Sequence, residues 1–208
     1  MIVNIRGTCG SGKSYAVHKL LEHSSKEPVE LVDGRKVAAT MVDIRGTPIY
    51  ALGSYRNVCG GCDGVRKPDI VVEYVEYFSG LGHVIFEGLI ISRTWNRYAD
   101  LCRSLTDVGE QYVWVYMDTS LQVCLDRVRE RRARKGNEKE LNTFQTTDTY
   151  NRCEATRKHA VGAGFDVRTL KYNHPDPGRF LIDILGLDVP NKKHVESEFV
   201  RLADILNE

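Results

Sequence analysis

Short apolar runs and helical stripes alternate along most of this chain. The runs "MIVNI" (1–5), "HVIFEG" (83–88), "QYVWVYMD" (111–118) and "FDVRTLKY" (165–172) are rich in β-branched and aromatic residues and read as buried strands. Between them the apolar period changes to that of a helix. "SYAVHKLLEHS" puts Ala16, Val17, Leu20 and Leu21 on one face, and "PDIVVEYVEYFSG" does the same with Ile70, Val71, Tyr74, Val75 and Phe78. "TWNRYADLCRSL", "SLQVCLDRVRERRARKG" and "VESEFVRLADIL" read as further helices. Strands alternating with helices predict an α/β fold, with a mostly parallel five-stranded sheet covered on both faces. One stretch breaks the rhythm. "RKVAATMVDIRGTPIYALGSY" holds two β-rich runs flanking "DIRG", which predicts an inserted hairpin over 35–54 that would wall a pocket.

The helix "SLQVCLDRVRERRARKG" carries an apolar stripe of Leu121, Cys124, Leu125 and Val128. At the same spacing the stripe continues into Arg131 and Arg132, with Arg127 and Arg134 flanking it. Arginine at stripe positions points charge at an anion once the helix has left the core, although a solvated helix end would look the same. The polar stretch after it, with Arg152 and Arg157, reads as a lid. The organisation expected is one domain over 1–208, with the hairpin at 35–54, a basic lid region at 127–158 and a C-terminal helix at 190–208.

Composition narrows the classes. A chain of 208 residues holds one well-buried domain. The net charge is +1, so any affinity for nucleic acid must come from a local basic patch. No stretch approaches the roughly 18 apolar residues of a membrane span, and no signal-peptide pattern opens the chain. The six cysteines then suggest reduced thiols, and a cytoplasmic protein with no membrane partner is expected.

"GTCGSGKS", Gly7 to Ser14, satisfies G-x-x-x-x-G-K-[ST] between a strand and a helix. That is a phosphate-binding P-loop. Gly7, Thr8, Cys9, Gly10, Ser11 and Gly12 would curl backbone N–H groups around a nucleoside triphosphate, ATP or GTP, with Tyr15 following. Lys13 would reach the β- and γ-phosphates, and Ser14 would ligate Mg²⁺, with Glu87 assisting through water. The short chain, in which no strand ends in a paired Asp-Glu, argues against motors and helicases.

"LGSYRNVCGGCDGV" (52–65) poses the sharper question. Cys59 and Cys62 have the spacing of half a zinc site, but a second pair is missing. A redox pair and a plain turn are further readings. The fourth is an acceptor loop, in which two glycines allow close backbone approach and Asp63 takes a proton. An acceptor hydroxyl is a weak nucleophile near neutral pH, and a carboxylate within reach activates it. A phosphate acceptor needs no such base, so Asp63 favours an alcohol. Asp43, in the "DIRG" turn, and Glu87 are rivals for the role.

"GTCGSGKS", "FEGLIISRT" and "DRVRERRARKG" together resemble the nucleoside monophosphate kinases among P-loop kinases. The resemblance implies a P-loop kinase fold and acceptor contacts from Glu87, Gly88, Arg93 and Arg97. It also implies phosphate contacts from Arg127 and Arg131, and an adenine loop near "NHPDPG" (173–178). The hairpin and CGGCD loop stand where such kinases carry a helical acceptor segment. "ALGSYRNVCGGCDGV" is similar to small phage P-loop kinases, including those that phosphorylate 5-hydroxymethyluracil in DNA. That acceptor is a primary alcohol on a polyanion, suited to Arg56, Arg66, Lys67, Arg93 and Arg97, with Tyr50, Tyr55 and Trp95 as stacking candidates. The expected function is therefore ATP- and Mg²⁺-dependent transfer to a DNA or nucleotide acceptor. A (deoxy)nucleoside or monophosphate kinase is the nearest alternative, and a nucleotide-dependent binding ATPase is one of another class. The oligomeric state stays open.

Overall fold

The computed structural model describes residues 1–187 except 35, 58, 66 and 138. The expected helix at 190–208 lies outside these residues. Along the chain run β1 (Ile2–Arg6), α1 (Lys13–Leu21), β2 (Val29–Asp33), β3 (Lys36–Ile44), β4 (Thr47–Leu52), α2 (Pro68–Ser79) and β5 (His83–Glu87). There follow α3 (Leu89–Arg93), α4 (Asn96–Asp107), β6 (Tyr112–Asp118), α5 (Leu121–Arg134), α6 (Phe144–Gly162), β7 (Asp166–Lys171) and α7 (Pro177–Ile184).

The strands form one seven-stranded sheet in the order β2-β3-β4-β5-β1-β6-β7. From β4 to β7 all neighbours are parallel, while β2 and β3 are antiparallel additions. The 35–54 stretch is thus built into the main sheet. Its second strand, β4, pairs with β5 and becomes the fifth parallel strand. The turn joining β3 to β4 has Arg45 at φ 55° and Gly46 at φ 81°, the doubly left-handed geometry that matches the twist of a tight hairpin. Asp43 braces it, its Oδ1 accepting from Gly46 N at 2.8 Å.

Two apolar cores lie on the two faces. On one side α1 and α7 cover Val3, Ile5, Ile49, Ile85 and Val115. On the other, α2 and α4 cover Ile2, Val84, Phe86, Trp114 and Tyr116. Each large side chain so enclosed contributes about 1.5–3 kcal/mol. The sheet ends at β2, largely exposed and carrying Glu30 and Asp33, and at β7, where Arg168 pairs with Asp166 at 2.7 Å.

Two elements carry no apolar pattern. β2 ("VELVD") is an edge strand with two polar residues, Glu30 and Asp33, among its five. The stretch read as a lid comprises the end of α5, a connection at 135–143 and most of α6. α6 buries Thr146, Thr149, Cys153, Thr156 and Ala160, a stripe at helical spacing written mainly in threonine. Among the described residues no helix is long and apolar enough to cross a membrane.

The left-handed backbone at Arg45 disfavours a side chain with an ordinary Cβ, and asparagine tolerates it best. Arg45→Asn should therefore raise the unfolding free energy by about 0.5–1 kcal/mol, read from the urea midpoint at unchanged slope.

Candidate active site

β1 ends beneath the P-loop and α1 begins directly after it. Gly12, at φ 102°, serves as the N-cap of α1 without a side-chain bond, so the first N–H groups of the helix face the loop's interior. Gly10 packs so tightly that a Cβ there would lie 2.4 Å from the Cys124 carbonyl oxygen. That close approach brings α5 against the loop, and Arg127 Nη1 donates to Gly10 O at 3.2 Å. Lys13 is folded inward, its Nζ donating to Gly7 O at 2.9 Å and Thr8 O at 3.2 Å.

Below the loop sits Glu87, the last residue of β5 and 1% exposed. Its Oε1 accepts from Ser14 Oγ at 2.6 Å, and its Oε2 lies 3.9 Å from Lys13 Nζ. Burial pushes the Glu87 carboxyl above the usual glutamate range; Lys13 and the Ser14 bond pull it back, and the charge of Asp63 adds to the rise. The Ser14 hydroxyl and the Glu87 carboxylate together make an oxygen-only donor set of the kind hard divalent cations take.

The CGGCD loop closes over Glu87. Gly61 has φ 83°, and a Cβ there would come 2.5 Å from Glu87 Oε1, so only glycine lets the loop lie on the carboxylate. Cys62 is buried, its thiol aimed at Leu52 O at 3.8 Å and pushed well up by burial, which makes it packing. Cys59 is exposed, and Arg131 Nη1 donates to its Sγ at 3.0 Å. Among the described residues no group of three or more His, Cys, Asp or Glu is arranged to hold a metal, so zinc is not supported. Asp63 lies in a short 3₁₀ turn, where its Oδ1 accepts from Leu89 N at 2.6 Å and holds the start of α3. P-loop, CGGCD loop, β5 and α5 enclose a cleft of about 550 Å³.

No protein-family model matches the chain. Curated relatives do. The 5-hmdU DNA kinase of Pseudomonas phage PaMx11 is 36% identical over 172 residues, 80% of this chain and 88% of that protein. The chain belongs to the 5-hmdU DNA kinase family. A second relative of that name, from Delftia phage PhiW-14, is 28% identical over 177 residues, 78% of this chain and 65% of that protein. Among solved structures, deoxyadenosine kinase from M. mycoides with bound dATP aligns at a TM-score of 0.47 with 12% identity, over 89% of this chain and 100% of that one.

The kinase brings many of the residues singled out by sequence to one cleft: Thr8 to Tyr15, Asp63, Glu87, Arg127 and Arg131. Gly7 lies just beneath, its N–H donating to Ser92 Oγ at 3.1 Å. Others are elsewhere. Arg93 is exposed on the last turn of α3 and does not line the cleft, and Arg97 is ion-paired with Asp69 of α2. Arg56 pairs with Glu30, and Arg66 lies outside the described residues. The stacking candidates pack against other rings of the protein, Tyr55 buried and Tyr50 and Trp95 half-buried. Tyr50 stacks on Phe78 at 4.8 Å, Tyr55 is buried edge-on to His18, and Trp95 sits among Trp114, His159 and Phe165. Of "NHPDPG", Asp176 caps α7 and Pro177 lines the cleft. Arg134, flanking the arginine stripe in the sequence, lines the cleft too, whereas sequence reading missed Met117, Glu130, Lys171 and Tyr172 there. Lys171 and Tyr172 follow from position, because ligands gather at the carboxyl ends of parallel strands. A larger groove of about 860 Å³, lined by Met1, Tyr112 and Asp166 among others, lies at the opposite ends of the strands.

Because burial raises the folded-state pKa of Glu87, its contribution to stability is full below the unfolded value and is lost as pH rises through the folded one. Glu87→Gln cannot ionise. The Tm of the variant relative to the parent should therefore climb as pH rises from the ordinary glutamate value upward, while transfer activity falls.

Proposed function

We propose that this chain moves the γ-phosphate of ATP to the hydroxymethyl oxygen of 5-hydroxymethyluracil in DNA. The observation that carries the reading is the pair of carboxylates, Glu87 and Asp63, lining the same cleft as the P-loop. A phosphate acceptor is already anionic and needs no proton acceptor beside it. A neutral alcohol needs one. The name shared by the phage relatives supports the same acceptor.

On this reading Lys13 leaves the Gly7 and Thr8 carbonyls for the β- and γ-phosphates, where its charge is held close without reorganisation of solvent. Arg127 and Arg131, one helical turn apart on α5, neutralise charge on the moving group. The Asp63 carboxylate accepts the hydroxyl proton as the alcohol oxygen bonds to the γ-phosphorus and the β–γ bridging bond breaks, releasing ADP. Leu89 N–H fixes one oxygen of Asp63 and leaves the other for the substrate. Ser14 and Glu87 would hold Mg²⁺, which supplies charge neutralisation on the triphosphate. Tyr172, with the Arg127 guanidinium 5.7 Å from its ring centroid, and the exposed Tyr15 offer flat surfaces to the adenine. Arg132 Nη2, donating to Asn137 Oδ1 and to Lys139 O at 3.3 Å, ties part of the basic lid region back to α5. The single-domain organisation expected from sequence accommodates this, and the work would be done in the cytoplasm of an infected host.

The test is transfer of labelled γ-phosphate to deoxynucleoside monophosphates, 5-hydroxymethyl-deoxyuridine monophosphate, plain DNA and DNA containing 5-hydroxymethyluracil. Label entering the modified DNA alone is expected. Label on free monophosphates would return the chain to nucleotide kinases, and ATP hydrolysis indifferent to every acceptor would make it a binding ATPase. Lys13→Ala should lower transfer by about 10²–10³-fold. Asp63→Asn should lower it by about 10²–10⁴-fold with ATP binding nearly unchanged, read by single-turnover transfer and nucleotide titration.

A further inference from the structure

The charge least accounted for in the molecule lies beneath the site. Arg6, the last residue of β1, is 0% exposed. Its guanidinium lies 4.1 Å from the ring centroid of Trp114 and 5.5 Å from that of Tyr98. Among the described residues it has no carboxylate partner within ion-pair distance. Nη1 donates to Thr94 O at 3.1 Å, the Tyr116 hydroxyl interacts with the guanidinium, and Nε and Nη2 are otherwise buried without a well-formed hydrogen bond. A cation without counter-ion in an aromatic core is costly, and an apolar side chain of similar volume fills such a position at least as well. Packing therefore does not explain it.

Its one carbonyl contact does. Thr94 is the C-cap of α3, the five-residue helix between the P-loop and the CGGCD loop. The start of that helix is held by Asp63 through Leu89 N. Its middle is held by Ser92, whose Oγ accepts from Gly7 N and donates to Gly88 O at 2.7 Å. Thr156 Oγ1 of α6, whose proton goes to Cys153 O at 2.8 Å, lies 3.4 Å from Ser92 O behind it. The far end has Arg6. A helix this short has little stability of its own, so its position is set by what holds its ends. The residue before Gly7 thus grips one end of the helix whose other end is bonded to Asp63.

We infer that Arg6 is a positioning residue: through Thr94 it keeps α3, and with it Asp63, aligned to the P-loop, at a cost in stability. The inference rests on the reading of Asp63 as the proton acceptor.

The experiment compares the parent with Arg6→Met and Arg6→Lys for thermal unfolding, ATP affinity and single-turnover transfer to whichever acceptor the parent labels. Arg6→Met should keep or raise the Tm. It should leave ATP affinity within about twofold and lower transfer by about 10- to 100-fold, as displaced reacting groups do. Arg6→Lys, which keeps a donor for Thr94 O, should recover part of the loss. Combined with Asp63→Asn, Arg6→Met should cost little more than Asp63→Asn alone, because both act on the same group.

Undiminished transfer by Arg6→Met would overturn the inference. So would a fall in Tm with ATP affinity and transfer declining together, or failure to fold, since each would make the charge structural. Full additivity with Asp63→Asn would separate Arg6 from the base and overturn it too. A parent that labels no hydroxymethyl acceptor would instead sink the proposed function, so the two failures are distinguishable.

Discussion

Glu87 is a carboxylate with almost no water around it, and three distant parts of the chain meet because of it. Ser14 and Lys13 reach it from the P-loop, Gly61 lies against it from the CGGCD loop, and β5 delivers it from the middle of the sheet. A buried acid left alone would take up a proton or drive the fold open. Here the serine hydroxyl and the lysine ammonium hold it, and the backbone that seals it must be glycine. The same arrangement leaves the lysine on the loop's own carbonyls, a store of positive charge already desolvated where the triphosphate's charge is to arrive.

The cysteines that look like half a metal site turn out to be incidental to the loop's geometry. Cys62 is an apolar plug and Cys59 sits at the cleft's mouth against Arg131. What the loop needs are its glycines and its aspartate. Its path from β4 over β5 hands Asp63 to the first amide of α3, joining the far side of the cleft to the helix that also touches Gly7.

How much of this could be read in advance varies with the range of the interaction. The P-loop is legible because its chemistry is local: eight consecutive residues between a strand and a helix. β1, β5 and β6 are legible because burial on both faces writes apolar runs, whereas β4, parallel only through its pairing with β5, reads as part of an inserted hairpin. α6 is not legible, since its inner face is threonine, which satisfies hydroxyls through nearby carbonyls and shows no hydrophobic stripe. The fates of Arg97 and Trp95 depend on partners brought by folding, Asp69 in one case and a cluster of aromatic rings in the other. Arg6 reads as a charged residue at a strand's end, and nothing in the local pattern says that it faces inward.

The two outer strands carry a consequence of a different kind. β2 and β7 leave backbone groups unpaired at the sheet's margins, which in principle invites another chain to add a strand. Asp33 and the Glu30–Arg56 ion pair mark the first margin, beside the exposed Val29 and Val32, and a mutually bonded arginine and aspartate mark the second. An approaching strand would have to strip water from those charges before any ladder could form. Growth of the seven-stranded sheet by edge pairing therefore carries a desolvation cost at both margins.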